Sequence, residues 1–416
     1  MLGVLTLVNA VNWADRSVVP ILFPAIRADL GLSDTQLGII AGLAFSIIYS
    51  VAAFGFGWAA DRGIRRNIIA AGLLVWSAAT AASGLAQGFG TLFAARFFTG
   101  VGEASLYPAA MSLVAERFGV AERGKAMGIF AASAAVGSAL ATGVGGLLAE
   151  TVGWRGVFFI YGGAGVLVLP ILFSFPEERR PPDRHDRDGH ALAVVSNLLR
   201  DRRLLALWST GMVMIAAALG YGSWIPSFFV RERGMGVTEA GYLIAVAALI
   251  GGGGGGLLGG YLADRRRRLK RAGELEVSAL AALVAAPAVV LTVWIEPLSL
   301  FAFFAVAAPV AIYAFFPPTQ TVLVELVPAR NHGLAYAINI FFLGGVGSAI
   351  GPLLVGYGSD ASASLKTAMW IPVAGMAAAA VMAWATGVYI RSRWRGEGGG
   401  DAATETPAAV ESAPVV

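Results

Sequence analysis

The chain contains twelve apolar stretches that are separated by short polar segments. A helix of about 20 apolar residues is long enough to cross the hydrocarbon core of a bilayer. Because 57% of the residues are hydrophobic and only 13% are charged, the apolar surface exceeds what the core of a soluble domain can bury. The sequence therefore predicts an all-α integral membrane protein with twelve transmembrane helices. The predicted spans cover residues 1–26, 35–60, 67–86, 91–115, 125–149, 153–175, 204–230, 237–262, 275–295, 298–324, 333–358 and 367–390.

A polar segment divides the twelve predicted spans into two groups of six. This segment, residues 176–203, is rich in proline, arginine and aspartate, and we expect it to link an N-terminal bundle (1–175) to a C-terminal bundle (204–390). Residues 391–416 are mostly small or polar, and their composition predicts a disordered tail. Most of the 30 lysine and arginine residues lie in loops on the side of the linker and of both termini. This bias predicts that the linker and both termini are cytoplasmic.

The composition also excludes several classes of protein. The chain has no cysteine, so disulfides, thiolate nucleophiles and cysteine metal sites are impossible. No zinc-ligand spacing, nucleophile motif or phosphate-binding loop is present. The net charge of +4 follows from membrane topology and does not predict a nucleic-acid partner. We therefore expect a monomer in a bacterial inner membrane that is not an enzyme, binds no metal or cofactor, and has the bilayer and a small-molecule or lipid substrate as partners.

Four ionisable residues interrupt the first and fourth predicted spans: Asp15, Arg16, Arg96 and Glu103. A charged side chain at bilayer depth is costly unless it is paired or hydrated, so such residues commonly mark a transport path. At 1.5 Å per residue, Arg16 and Glu103 should lie about 15 Å and about 18 Å from the outer face. We therefore expect the four side chains to meet in one cavity near the bilayer midplane. The alternative is an ion-pair network that only holds the two spans together.

The residue types in this group predict two roles. Arginine binds carboxylate or phosphate through two parallel hydrogen bonds, so we expect Arg16 and Arg96 to bind an anionic group. A carboxylate near arginine, in a partly dry cavity, gains or loses a proton as its surroundings change. We therefore expect Glu103, with Asp15, to bind the proton as coupling ion. The further candidates for substrate binding are Asn12, Tyr107, Tyr221 and Trp224.

The two halves of the chain are weakly similar to each other. The sequence Gly-Trp-Ala-Ala-Asp-Arg at 57–62 returns as Gly-Tyr-Leu-Ala-Asp-Arg at 260–265. Val-Gly-Ser-Ala-Leu at 136–140 returns as Val-Gly-Ser-Ala-Ile at 346–350. Internal repeats of this kind are typical of secondary transporters.

These motifs resemble those of the major facilitator superfamily over nearly the whole chain. Residues 57–66 resemble the family's loop after span two, and residues 96–104 resemble its motif in span four. Residues 137–146 resemble its glycine motif in span five, although Thr142 stands where many antiporters have proline. The resemblance implies two pseudo-symmetric six-helix bundles and access that alternates between the two sides of the membrane. It also implies gating roles for Asp61, Arg62, Arg65, Arg66, Asp264 and Arg265.

Two branches of that family share the patterns at residues 12–16 and 102–104 of this chain. One is the Spinster branch, which the resemblance links to sphingolipids and lysophospholipids; the other is the anion:cation symporter branch, which carries sugar acids. Residues 259–265 and 346–360 are more similar to the Spinster pattern. Where the first half has its charged residues, the second half has apolar and aromatic residues. This asymmetry favours an amphipathic substrate. The alternative is that these apolar stretches only face lipid or neighbouring helices.

We therefore expect proton-linked secondary transport of an anionic amphipath, such as a lysophospholipid or a sphingolipid-like molecule. Proton-coupled symport of a small organic anion such as a sugar acid is the alternative. A channel or a membrane receptor is a third possibility, which the paired repeats and gate loops disfavour. The glycine run at 251–256 predicts either close packing of span eight against a neighbouring helix or a bending point.

Overall fold

The computed structural model describes residues 1–177, 188–269, 272–328 and 331–397. Within these ranges the chain is almost entirely helical and forms no β-strand, so the predicted all-α fold is confirmed. The helices are α1 (Leu2–Leu30), α2 (Asp34–Ala41), α3 (Leu43–Arg62), α4 (Arg65–Ser83), α5 (Phe89–Glu103), α6 (Leu106–Arg117), α7 (Val120–Leu172), α8 (Asp188–Arg200), α9 (Arg202–Arg231), α10 (Val237–Leu249), α11 (Gly256–Leu269), α12 (Glu274–Trp294), α13 (Leu298–Ala314), α14 (Phe316–Leu326), α15 (His332–Ile340), α16 (Ser348–Ser362), α17 (Leu365–Ala368) and α18 (Trp370–Glu397).

Twelve passes can be traced through the described residues. Eight helical segments are long and apolar enough to cross a membrane. One of them, Glu122–Leu172, breaks at Gly153, where φ is 72° and ψ is 166°, and therefore makes two passes. The remaining three passes are α1, α4 and the consecutive pair α5 and α6. These three passes are not among the eight for two reasons. Helices α1 and α4 are less apolar because they contain polar and charged side chains, and the fourth pass is divided between the shorter helices α5 and α6.

Local sequence explains where several helices begin and end. Helix α1 stops at Gly31, which adopts a left-handed conformation with φ of 63°. Helix α2 begins with a capping box: the Ser33 hydroxyl accepts a hydrogen bond from the Gln36 N–H, and the Gln36 side chain accepts one from the Ser33 N–H. Helix α9 begins after Asp201, whose carboxylate accepts a hydrogen bond from the Arg203 N–H at 2.8 Å. These caps satisfy N–H groups that have no partner within their own helix.

The predictions for the tail and for the linker each need a correction. Helix α18 continues past residue 390 to Glu397, so the first residues of the predicted tail are helical; Arg391 helps to hold this end through an ion pair with Glu276 at 3.4 Å. The predicted linker contains helix α8, whose Leu198 is buried against the C-terminal bundle. An apolar face on a short amphipathic helix explains this packing. Residues 178–187 of the linker and 398–416 of the tail lie outside the described residues.

Two sides of the molecule differ in how the bundles meet. We call the side that carries Met1 and Glu397 the terminal side, and the opposite side, with Gly31 and Gly153, the far side. In the terminal half, separate apolar cores lie within the N-terminal and the C-terminal bundle. In the far half, one continuous core joins Phe23 of the N-terminal bundle to Trp224 of the C-terminal bundle. The bundles are therefore closed against each other on the far side and separate toward the terminal side. We call the gap between them, which opens to the terminal side, the open space or cavity.

The six-glycine run packs closely against a neighbouring helix at some of its positions, whereas its role as a bending point stays a prediction. It lies within and just after a π-helical segment, Ile250–Gly255, and such segments commonly interrupt helices at functional sites. A Cβ atom on Gly255 would lie 2.4 Å from the carbonyl oxygen of Val310, so this position packs closely against span ten. A Cβ on Gly254 would meet nothing within 4 Å. Close packing therefore needs glycine at only some positions of the run.

Candidate functional site

The ionisable residues of the first and fourth passes lie together inside the N-terminal bundle. Asp15 and Glu103 are fully buried and Arg96 is 3% exposed, whereas the Arg16 side chain is 21% exposed. The Arg16 Nε donates a hydrogen bond to Glu103 Oε2 at 2.5 Å. Arg16 is therefore the member of this group that borders the open space, and we call the four residues the charged cluster.

Arg96 lies deeper and is not paired in the same way. Its Nε and Nη1 atoms are buried and have no hydrogen-bond acceptor among the described residues. Glu103 Oε1 and Asp15 Oδ1 are likewise buried without a donor. Each such group costs about 1–3 kcal/mol while it is unsatisfied. The charged cluster therefore retains hydrogen-bonding capacity for a further acceptor at Arg96 and for a proton or donor at the carboxylates.

Aromatic rings hold the two guanidinium groups. Arg16 Cζ lies 4.3 Å from the ring centroid of Tyr49, 4.6 Å from that of Phe45 and 5.3 Å from that of Trp13. Arg96 Cζ lies 5.5 Å from the centroid of Phe45. These contacts are cation–π interactions, which position a guanidinium without using its N–H donors. Sequence reasoning missed all three aromatics, although the spacing of Phe45 and Tyr49 by four residues does place them on one helix face.

Asp15 faces a different direction from Arg16. Its Oδ2 accepts a hydrogen bond from the Thr80 hydroxyl of α4 at 3.3 Å, and no arginine forms an ion pair with it among the described residues. Consecutive residues on a helix point about 100° apart, so Arg16 turns toward the cavity while Asp15 turns into the bundle. Asp15 still interacts electrostatically with Glu103 and Arg96.

Asn12 and Tyr107 border the charged cluster from two directions. Asn12 is 3% exposed, and its Nδ2 has no acceptor among the described residues. Tyr107 is 45% exposed and packs edge-on against Phe130. Its phenol lies near those of Tyr49 and of Tyr336 in the C-terminal bundle. Tyr107 therefore lies where the two bundles face each other across the open space.

This architecture and this cluster can be compared with known proteins. Residues 5–273 match the family model described as Major Facilitator Superfamily. The chain belongs to the major facilitator superfamily. It is 30% identical, over 365 residues, to an MFS-type efflux pump of Mycolicibacterium smegmatis, covering 86% of this chain and 83% of the relative.

Two further similarities concern sequence and fold. The chain is 29% identical over 277 residues to a protein of Bacillus subtilis named "Probable galactarate/D-glucarate transporter", covering 59% of this chain and 60% of that protein. Its fold matches the crystal structure of a bacterial homolog to the human lysosomal transporter Spinster, in an inward-facing and unoccupied conformation. The TM-score is 0.81 at 23% identity, and the match covers 94% of this chain and 96% of that one. The protein is thus a multi-pass secondary transporter of this superfamily, whose members are not enzymes.

Two predicted substrate-binding residues of the transporter lie away from the open space. Trp224 is fully buried, its indole N–H donates to the Pro352 carbonyl at 2.9 Å, and its ring lies 5.3 Å from that of Phe23. Tyr221 is 3% exposed in the same far-side core. In this conformation both residues help to close the far side, and their role in substrate binding stays a prediction. The exposure of Tyr221 and Trp224 depends on how the two bundles pack against each other, and the local sequence around these residues does not show that packing.

The predicted gating residues of the transporter's first loop are bound within the N-terminal bundle. Arg65 donates from Nη1 to Glu116 at 2.6 Å and from Nε to Glu177 at 2.7 Å. The Arg66 Nη1 donates to the Phe175 carbonyl at 2.7 Å. Arg62 Cζ lies over the ring of Trp58 at 4.3 Å. The side chain of Asp61 lies outside the described part of the chain.

The second gate loop shows the same separation. Asp264 and Arg265 are exposed on α11, and the neighbouring Arg267 pairs with Glu325 of the same bundle at 2.7 Å. On the terminal side, Arg65, Arg267 and Arg391 therefore each form an ion pair within their own bundle. This agrees with the open terminal side, and the gating roles themselves stay predictions.

Proposed function

We propose that this transporter moves an organic anion by alternating access, with the anion and a proton binding together at the charged cluster. The observation that carries the proposal is the state of Arg96: a buried guanidinium with two N–H groups that have no acceptor among the described residues. Such a group binds carboxylate or phosphate strongly, because these anions accept both hydrogen bonds at once. Beside it, Glu103 is held by the partly exposed Arg16.

The geometry suggests an order of events. An anion that enters from the terminal side meets Arg16 first, since Arg16 is the most exposed member of the charged cluster. If Arg16 turns its hydrogen bonds to the anion, Glu103 loses its cationic partner. A buried carboxylate without a cationic partner takes up a proton. Anion binding and proton binding would then occur together, and release of the proton would restore the Arg16–Glu103 pair and expel the anion.

The walls of the open space favour an anionic amphipath as substrate. The charged wall belongs to the N-terminal bundle. The C-terminal bundle contributes partly exposed aromatic side chains, among them Tyr336 and Phe341. The acidic and basic residues of α9, α13 and α15 lie only at helix ends, and they are Arg202, Arg203, Arg231 and His332. An ionic head at the charged cluster and an apolar tail against the other wall would fit this asymmetry. A lysophospholipid or a sphingolipid-like molecule has these parts.

A sugar acid is the second candidate, and two observations favour it. Asn339 and Gln320 form a side-chain hydrogen bond at 3.3 Å in the C-terminal bundle, and their remaining amide groups could bind substrate hydroxyls. The relative named "Probable galactarate/D-glucarate transporter" shares 29% identity with this chain over 277 residues. Buried sugar hydroxyls left without partners would cost about 1–3 kcal/mol each, so such a substrate needs amides of this kind.

A binding comparison separates the two substrate classes. The thermal unfolding of purified transporter in lipid nanodiscs would be measured with a lysophospholipid and with D-glucarate. The same measurements would be made on the variant Arg96→Ala. At a ligand concentration of 100 Kd, specific binding stabilises the folded state by about 2.7 kcal/mol, and we expect this shift for the lysophospholipid with wild type only. A shift with D-glucarate that is lost in Arg96→Ala and in Gln320→Leu would select the sugar acid. An equal lysophospholipid shift in Arg96→Ala would show a detergent-like effect and contradict the lipid proposal.

We further propose that the terminal side faces the cytoplasm of a bacterial inner membrane and that the protein works as a monomer. The orientation is supported by the concentration of lysine and arginine in the loops of that side. The proton is the proposed coupling ion, since Glu103 is the buried carboxylate that the exposed arginine holds.

A further inference from the structure

Two carboxylates on the far side each cap a helix of the opposite bundle. Asp360, in the last turn of α16, accepts hydrogen bonds at the start of α2 from the Thr35 N–H at 2.7 Å, the Thr35 hydroxyl at 2.6 Å and the Asp34 N–H at 3.0 Å. Glu150 of α7 accepts hydrogen bonds at the start of α10 from the Thr238 N–H at 3.1 Å and the Thr238 hydroxyl at 2.7 Å. Each bundle therefore supplies the anionic cap for one helix of the other.

The two caps are related by the internal repeat. Thr35 precedes Asp61 of the first gate loop by as many residues as Thr238 precedes Asp264 of the second. The carboxylates follow the same relation, since Glu150 lies as many residues after the Val-Gly-Ser-Ala motif at 136–139 as Asp360 lies after the matching motif at 346–349. Both caps thus occur at equivalent places in the two halves. A helix N-terminus has free N–H groups and a partial positive charge, so a carboxylate is the group that it binds best.

Asp34 strengthens the first of these contacts. Its carboxylate is 1% exposed and accepts hydrogen bonds from Arg231 Nη1 at 2.9 Å and from the Ser359 hydroxyl at 2.6 Å, both in the C-terminal bundle. Arg27 of its own bundle also faces it at 3.5 Å. The start of α2 is therefore bound to the opposite bundle through both its backbone and its side chain.

We propose that the two helix caps, together with Asp34, are the latch that keeps the far side closed. Opening the far side must separate α2 from α16 and α10 from α7, so both caps must break in the step that exposes the cavity to that side. On the terminal side, by contrast, Arg65 and Arg267 form ion pairs within their own bundles. Weakening either cap therefore shifts the conformational equilibrium toward the far-open state without touching the charged cluster.

Distance measurements on the full chain test this latch. Because the protein has no cysteine, spin labels can be placed at Gln87→Cys and Lys366→Cys, which are exposed far-side positions in opposite bundles. In nanodiscs without substrate, we expect Asp360→Asn and Glu150→Gln each to increase the population at long label distance about twofold to fivefold, in line with the loss of a negative charge at a helix N-terminus. The double variant should increase it further.

Asp29→Asn is the matched control, because Asp29 is a far-side carboxylate whose partners Trp154 and Arg155 belong to its own bundle. Its distance distribution should equal that of the parent. Thr35→Val and Thr238→Val remove only the hydroxyl donors and should also increase the population at long label distance, as Asp360→Asn and Glu150→Gln do. These two variants test the latch even if a carboxylate variant does not fold. Parent-like distances in all folded cap variants would overturn the latch. Since no substrate is present, this result is independent of whether the charged cluster binds an anion.

Discussion

Replacing Arg96 with alanine is expected to abolish substrate binding and transport while the protein remains folded. The Arg96 guanidinium is buried, and two of its nitrogens have no acceptor among the described residues, so its removal takes away few stabilising contacts. Removing a buried, hydrogen-bonded charge from a complex costs about 2–5 kcal/mol of affinity, which lowers binding by a factor of about 30 or more. Substrate counterflow in liposomes and the unfolding midpoint would be measured together.

Arg96→Lys and Arg155→Ala make this experiment specific. Lysine keeps the charge but cannot form two parallel hydrogen bonds, so we expect it to recover only part of the affinity. Arg155 is an exposed far-side arginine that pairs with Asp29 of its own bundle, and its removal should leave binding unchanged. If Arg96→Ala kept its affinity, or lost about 3–5 kcal/mol of stability as expected for a broken buried ion pair, the charged cluster would be purely structural.

Replacing Glu103 with glutamine is expected to remove the pH dependence of anion binding. In the wild type, binding releases Glu103 from Arg16 and the freed carboxylate takes up a proton, so affinity should rise as the pH falls, by up to about tenfold per pH unit. Glutamine has nearly the same size and keeps an oxygen for the Arg16 Nε, but it cannot be protonated. Affinity measured between pH 5 and pH 8 should therefore be nearly constant in Glu103→Gln.

A carboxylate outside the charged cluster serves as the comparison. Glu296 lies in an exposed far-side loop, and Glu296→Gln should keep the wild-type pH profile. A wild-type profile in Glu103→Gln would assign the proton to another group, and Asp15, which interacts electrostatically with Glu103, would be tested next with Asp15→Asn.

The number of spans and the presence of charged residues within them could be predicted from sequence, because both follow from the residues of each span alone. The twelve spans follow from apolar length, because a helix in lipid must satisfy its own backbone and present apolar side chains. The meeting of charged side chains from the first and fourth spans also follows, since opposite charges at bilayer depth lower their cost by meeting. The helix α8 inside a polar linker was missed, because the apolar face that buries Leu198 occupies only part of its surface.

The details that could not be predicted depend on rotation and on conformation. That Arg16 pairs with Glu103, while Asp15 turns to Thr80, is set by how α1 is rotated within the bundle. The aromatic support from Phe45 and Tyr49 gave no signal, because aromatic residues are common in membrane helices. Trp224 is a candidate for substrate binding by sequence, but it lies in the closed far side in this conformation, and its exposure depends on which side of the transporter is open.

The most direct test of the central claim is the proton balance of anion binding. Concentrated, weakly buffered transporter would be mixed with the anion selected by the binding comparison, and the pH of the solution would be recorded. Competition for Arg16 predicts uptake of up to about one proton for each anion bound, seen as a rise in pH, and no uptake in Glu103→Gln. Anion binding with no pH change in the wild type, or with release of protons, would contradict the joint binding of anion and proton at the charged cluster.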